Sequence, residues 1–554
     1  MLEVKQKIIE LIADAAGEAQ KAGKLPSVAL PEVTLERPQN PEHGDYASNF
    51  PLRLVKAAGA NPMDIASELI GFISDTPEIE SIVAAKPGFI NFTLSSEWLT
   101  GQVDAIINDG EVYGNIDAGK GKRVQVEFVS LNPTGPLHVG HGRGAVLGST
   151  LSDVLSAAGY NVEKEYYFND AGNQMNNFYN TLYARYLQAL GKDAEVPADG
   201  YHGNYMMDIA RDIITEEGDR YLKLPEEEAI TGLGKVGLRK VIVLIEDDLR
   251  LLGVTFDNWF TERSLYDNGQ FKTVMALLER DGHIAEKEGA TWFVSTALGE
   301  DKDNVVVRGN GSPTYFATDI AYHYNKFIER KFDRVIDVWG ADHQGHITRL
   351  KTAVGAFGAD PERLEIIIHQ LVTLRRGGEI VRISKRSGDI ITLNELIEEA
   401  GKDACRFFFL SRSANSQMDF DLELAKKESQ DNPVYYVQYA HARIASILRL
   451  AEEKDIKYGD GDVSLVNTEP ELILIRKLIH LPELIELAAR NLEPHHLTYY
   501  AQDLATVFHS FYNQCRVVTD DEAMTKARLK LVEAAKIVLA RTLHLMGMTA
   551  PEKM

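Results

Sequence analysis

The sequence predicts an α/β protein: a doubly wound sheet in the middle of the chain, an α+β module before it and an all-α helical bundle after it. Three observations carry this. The β-branched run RVQVEFVS (123–130) leads into a Gly- and Pro-rich turn, a helix-period segment and a second alternating run, NVEKEYYFND (161–170). That order is a βαβ unit. FDRVIDVWGADHQGH (332–346) and RLEIIIHQLV (363–372) supply further strand-plus-loop units, and beyond residue 400 the apolar period becomes helical.

Taken in order, the chain opens with MLEVKQKIIELIADAAGEAQKAG, which mixes charged and apolar residues at helical spacing. It lacks the apolar core of a signal peptide. Short strand-like pieces follow and end in AAKPGFINFTL (84–94); NDGEVYGNIDAGKGKR (108–123) reads as a linker. In 141–159, Val146, Leu147, Leu151, Val154 and Leu155 share a helix face, and 171–265 reads as mostly helical. Near the C-terminus Leu474, Leu478, Leu481, Ile485 and Ala488 line one face, and Leu531, Ala535, Val538, Thr542 and Leu545 another. The expected units are 1–110, 111–400 with a helical insertion at about 175–265, and 401–554.

Composition narrows the class. At roughly 150 residues per domain, 554 residues suggest three or four units. Hydrophobic residues at 44% and charged residues at 25% are ordinary for a globular protein. No apolar run is long enough to span a membrane. Cys405 and Cys515 are the only cysteines, which excludes a disulfide framework or a Cys-rich zinc site and fits a reducing, cytoplasmic setting. The net charge of −23 argues against a nucleic-acid partner on a naive reading, but local patches decide in a chain this large.

The densest chemistry lies in LNPTGPLHVGHGRG (131–144), where His138 and His141 stand three apart among glycines. A metal would need a third ligand, and no HExxH match supplies one, so no metal site is expected. A plain Gly-rich turn with surface histidines is the bland alternative. A phosphate site has a mechanism. A strand ends, a loop turns and a helix begins near Gly140, so free N–H groups and the positive dipole end face an anion. Imidazole N–H groups would donate to phosphate oxygens, and Gly140 and Gly142 would let a nucleotide approach the backbone. Neither GxxxxGK[ST] nor GxGxxG is present at this turn. Far downstream, Arg375, Arg376, Arg382, Lys385 and Arg386 cluster among glycines, a cationic loop suited to neutralising a polyphosphate transition state.

HVGH resembles the HIGH motif of class I aminoacyl-tRNA synthetases, and VRISKRSG their KMSKS loop. Arg382 and Ile383 replace the first lysine and the methionine; Ser384 and Lys385 are kept. The resemblance implies a Rossmann-like class I synthetase catalytic domain. It also implies an ATP site at His138, Gly140, His141, Gly142, Arg382, Ser384 and Lys385, with His138, His141 and Lys385 catalytic.

A cationic amino acid would need carboxylates in bidentate geometry. Glu127 and Asn132 flank the turn, Tyr315 and Asp319 lie one helical turn apart, and Asp342 with His343 follows a strand. The segments EFVSLNPTGPLHVGHGRGAVLG, EYYFNDAGNQ, ATDIAYH, WGADHQGH, DNPVYYVQYAHARI and MGMTAPEKM resemble bacterial arginyl-tRNA synthetases, along essentially the whole chain. The resemblance implies that Glu127, Asn132, Tyr315 and Asp319 hold arginine, with a further contact from Asp342 or His343. It implies ATP carrying Mg²⁺ as substrate, no tightly bound cofactor, L-arginine and tRNA(Arg) as partners, activation that needs bound tRNA, and no membrane. A monomer is expected.

The N-terminal module is similar to one used at the tRNA elbow, with Tyr46 and Asn49 as candidate contacts. The C-terminal bundle resembles an anticodon-binding domain, with Tyr435, Arg443, Tyr512, Asn513 and Met554 as candidates. Binding would use basic surface at 373–386, Arg443 and 525–541, and should weaken with salt. A nucleotidyltransferase of small molecules shares the turn, but such enzymes are much shorter. A non-catalytic tRNA-binding paralogue should have lost His138, His141 or Lys385. Cysteine-specific synthetases need zinc-ligand cysteines, and glutamate-specific ones should present cations to the substrate.

Overall fold

A computed structural model describes residues 2–38, 40–170, 173–381 and 391–554. The chain between 123 and 369 builds a five-stranded, all-parallel sheet from β1 (Arg123–Glu127), β2 (Asn161–Phe168), β3 (Asn258–Thr261), β4 (Arg334–Gly340) and β5 (Leu364–His369). The strand order is β5-β4-β1-β2-β3. The chain thus runs outward from β1 to β3, then crosses back to β4 on the other side of β1. Parallel strands buried on both faces read as apolar runs, and Val124, Val126, Val335 and Ile336 are fully buried. The reversal makes the carboxyl ends of β1 and β4 the switch point, where doubly wound sheets place ligands.

Helix α1 (Val139–Ala157) leaves β1 and packs on the sheet. Its glycines allow the contact: a Cβ at Gly148 would come within 2.1 Å of the Phe128 ring. Three helices, Asn173–Ala189, Asn204–Glu217 and Glu226–Leu251, form the insertion before β3. Asn258–Thr261, read from sequence as part of a helical stretch, is a sheet strand; four residues are too few for periodicity to reveal. A three-stranded antiparallel sheet spans 284–307, before helix α2 (Tyr315–Tyr324) and a π-helical turn, Asn325–Glu329.

The N-terminal module packs helices Leu2–Lys21, Phe50–Ala58 and Pro62–Ile70 with a small antiparallel sheet, around Ile8, Ile12, Phe50 and Phe92. The C-terminal bundle includes α3 (Pro433–Glu453), α4 (His496–Gln514) and α5 (Glu522–Leu545). Both apolar stripes read from the sequence are buried in it. Between sheet and bundle, Met418–Asp421 pairs in parallel with Val372–Arg376, so the chain after 400 is not purely helical. Buried Met418 and Phe420 alternate there with Asp419 and Asp421.

Arg406 ties the units together. Its buried guanidinium donates to the Met546 and Leu252 carbonyls and to the Ser149 and Thr150 hydroxyls. Burial lowers its pKa to about 10, still charged at neutral pH. Arg37 and Tyr46 meet Glu483, and Asp45 meets Arg476, fastening the N-terminal module to the bundle. Cys405 and Cys515 are buried and unpaired with each other, and burial pushes the Cys405 thiol up to about 12, leaving it inert. Among the described residues no helix is long and apolar enough to cross a membrane.

Candidate active site

The histidine turn is a helix cap. His138 is the N-cap of α1, in extended backbone, and its Nδ1 accepts from the Gly140 N–H at 3.2 Å. His141 reaches back so that its Nδ1 accepts from the His138 N–H, also at 3.2 Å. This is a capping box built from two imidazoles. The rings lie 3.4 Å apart between centroids. An accepting Nδ1 puts the proton of a neutral ring on Nε2. The cap therefore sets both tautomers and makes each Nε2 a donor beside a helix N-terminus, which suits an oxyanion.

One expectation about this turn changes, and one residue is added to it. Gly142 is buried, and a Cβ there would press on Leu393 and Phe409 at 2.8 Å. Its small size serves internal packing rather than nucleotide approach. Arg143, unremarked in the sequence reading, is fully buried and donates to the carbonyls of Gln370, Ser413 and Ser416 at 2.8 Å each. It clamps α1 to the loops beyond β5.

Arg382, Ser384 and Lys385 lie outside the described residues; their flanks do not. Arg375 and Arg376 pair with Ile380 and Glu379 in a short hairpin that leads into the loop. On the far side Thr392 bridges to His138, and the Leu393 N–H donates to the Leu137 carbonyl at 2.9 Å. A Thr392–Glu395 capping box then starts the helix Leu393–Ala400. The chain leaving the cationic loop is thus stitched directly to the histidine turn.

Where the strands flanking this turn end, carboxylates cluster. Register places Glu165, Glu127 and Asp337 side by side on β2, β1 and β4. Glu127 is buried, and its Oε2 accepts from the buried Lys326 Nζ. Lys326 also donates to Asp337 at 2.9 Å. Burial pushes the Asp337 carboxyl up, but Lys326 and His323 outweigh it and hold it near about 2. Asp319 lies on α2, and burial raises its pKa although His323 and Arg349 oppose this. Burial likewise raises Glu127 against the pull of Lys326. Glu262, hydrogen-bonded by the Tyr167 hydroxyl at 2.9 Å, is pushed to about 7 by burial. Carboxylates held above their ordinary range are under-compensated, and an entering cation would relieve them.

The other predicted residues lie nearer the surface. Tyr315 is 58% exposed, one turn before Asp319. Asn132 donates to Gln174, at the start of the insertion. Asp342 and His343 are exposed beyond β4, 3.5 Å apart. The approach from β1 to Asn132 is strained: Val129 has φ 70° and the Ser130 N–H donates to the Phe128 carbonyl. A β-branched residue in such a turn is an outlier of the kind found at binding sites. The sequence reading missed Lys326, His323, Asp337, Tyr167 and Glu262. Asp337, an acid inside the apolar run RVIDVW, was the available signal.

The bundle carries an aromatic and cationic patch. Tyr435 stacks on Tyr439 at 6.0 Å, and Arg443 lies over Tyr439 and Tyr512 at 4.9 and 5.1 Å. Tyr512, Asn513 and Met554 are exposed. Asn49 accepts from the Thr34 hydroxyl at 3.2 Å. Tyr46 must be corrected: at 1% exposure, bonded to Glu483 and covered by Arg37, it cannot stack on a base. Among the described residues Glu493, His495 and His496 form one group of metal-type side chains, in the bundle.

Comparison with known proteins agrees along the whole chain. Residues 4–94 match the arginyl tRNA synthetase N terminal domain, 102–427 the catalytic domain of tRNA synthetases class I (R), and 437–554 the DALR anticodon binding domain. An arginine–tRNA ligase of Dehalococcoides mccartyi strain BAV1 is 59% identical over 554 residues, with 100% of each chain covered. That of Heliobacterium modesticaldum is 49% identical over 558 residues, covering 100% of this chain and 99% of its own. The Thermus thermophilus arginyl-tRNA synthetase shares the fold, with TM-score 0.79 at 24% identity, covering 99% of this chain and 100% of that one. The chain belongs to the class I arginyl-tRNA synthetases.

Proposed function

We propose that the chain is an arginine–tRNA ligase, which joins L-arginine to tRNA(Arg) at the expense of ATP. The observation that carries this reading is the carboxylate cluster at the strand ends, where burial leaves Glu127 and Asp319 under-compensated. A guanidinium offers them charge and paired donors together. Asn132, Tyr315 and one of Asp342 or His343 complete the arginine contacts in this reading.

The reaction has two steps. The arginine carboxylate attacks the α-phosphorus of ATP, the bond to the β-phosphate oxygen breaks, and pyrophosphate leaves. A terminal ribose hydroxyl, the 2′-hydroxyl by family resemblance, then attacks the arginyl carbonyl and AMP departs. Catalysis is positioning plus charge stabilisation. His138 and His141 donate from Nε2 to phosphate oxygens, beside the amide groups of Gly140 and its neighbours. Lys385, with Arg382 and Ser384, neutralises the pyrophosphate. Mg²⁺ arrives with ATP as part of the substrate. Residues 1–110 serve the tRNA elbow, 111–400 the chemistry and 401–554 the anticodon, where Tyr435, Arg443, Tyr512, Asn513 and Met554 stack and pair. The enzyme works as a cytoplasmic monomer. Charging of a tRNA(Arg) transcript with labelled arginine tests the reading; charging with lysine at equal efficiency, or none with arginine, would reject it.

A further inference from the structure

One register row of the sheet carries three adjacent carboxylates, Glu165, Glu127 and Asp337. Like charges on neighbouring strands repel, so each needs a partner. Helix α2 and the turn after it supply the charged partners, and neighbouring strands add Gln125 and Asn258 for Glu165. Glu165 accepts from the Tyr322 hydroxyl at 2.5 Å, from Asn258 and from Arg330 at 3.0 Å. Asp337 accepts from His323 and Lys326, both at 2.9 Å. Glu127 has a single side-chain partner among the described residues, Lys326, and gives it only Oε2. The Lys326 ammonium is enclosed, with the Tyr322 ring 4.1 Å below it. It has no route to solvent or substrate: its exposure is 0%. Its turn is π-helical, an irregularity that recurs at functional sites.

We propose that Lys326 is a positioning residue for the amino-acid substrate: it holds Oε2 of Glu127 and so presents the remaining oxygen, ionised, to the substrate cation. This rests on the reading of Glu127 as an arginine ligand. One ammonium is shared by two carboxylates, so Glu127 keeps an unspent share of negative charge. The other titratable groups facing this point are Glu165 and Tyr167 from β2, Asp319, Tyr322 and His323 from α2, Glu262 after β3, and Arg330. They stay in place in Lys326→Met and Asp337→Asn; Asp319 also feels the Asp337 charge, so the Asp337→Asn curve is repeated on the Asp319→Asn background, where the remaining shift belongs to Glu127.

The test is the pH dependence of the arginine KM in aminoacylation, with the ATP KM measured alongside. Removing the ammonium in Lys326→Met raises the Glu127 pKa. The rise in arginine KM on acidification then moves to higher pH, by about one unit or more, with the ATP KM unchanged. Asp337→Asn removes the competing acid and leaves Lys326 to Glu127 alone, so the same rise moves to lower pH. The opposite sign decides the matter should Lys326→Met not fold. Curves that coincide with the parent protein's, with only thermal stability lowered, would overturn the proposal and leave Lys326 a structural residue. Asp319→Asn separates the two levels. If it too leaves the arginine KM unmoved, the arginine pocket itself is misassigned; if it raises the KM while the Lys326 and Asp337 curves stay put, only the role of Lys326 fails.

Discussion

Replacing Asp319 by asparagine keeps the side-chain shape and deletes its charge. In the proposed site the Asp319 carboxylate meets the substrate guanidinium together with Glu127. Removing one partner of a buried, hydrogen-bonded charge pair costs about 2–5 kcal/mol. Glu127 still attracts the cation. The loss should therefore fall in the lower half of that range, about 2–3.5 kcal/mol. At about 1.4 kcal/mol per factor of ten, the arginine KM rises about 30- to 300-fold. Steady-state aminoacylation measures it, with the ATP KM expected to stay within about threefold because no phosphate contact is removed. The free protein should respond the other way. Burial raises the Asp319 pKa, so the folded state favours its protonated form, and the ionised group costs stability as pH rises through that raised value. Asp319→Asn should thus raise Tm at pH 8. An arginine KM within threefold of the parent, or an equal rise in the ATP KM, would refute the reasoning.

Three further outcomes are expected. His138→Asn keeps an N-cap acceptor but loses the Nε2 donor, so turnover should fall about 100-fold while Tm barely moves, as read by kinetics and thermal melting. Glu262→Gln should raise Tm at pH 8.5 and change it little at about pH 4, because a carboxyl raised to about 7 loses stability as pH climbs from its ordinary value to the folded one; Tm against pH checks the sign. Arg443→Ala should raise the KM for tRNA and flatten its salt dependence while the KM values for arginine and ATP stay fixed, measured over a salt series.

The parallel sheet was legible because its strands are apolar runs set between Gly-rich turns and helical stretches. β3 was not, since four residues cannot display a period. The histidine turn was legible as a motif but not as a capping box; that needs the backbone of Val139–His141 to start a helix. Glu127 and Asp319 could be named from spacing and resemblance. Lys326 and His323 could not, because their meaning comes from the register of β1 with β4, which sets Glu127 beside Asp337 far along the chain. Tyr46 misled because an exposed base platform and an inter-unit contact use the same aromatic ring; only Glu483, far away in sequence, distinguishes them.

The central claim is that a pocket with excess buried negative charge selects a guanidinium and delivers it to ATP. Amino-acid-dependent ATP–pyrophosphate exchange, run with arginine and with its neutral isostere citrulline, each with and without tRNA(Arg), addresses it directly. Exchange should appear with arginine when tRNA(Arg) is present and stay at background with citrulline. No exchange with arginine and tRNA(Arg) together, or equal exchange with citrulline, would contradict it.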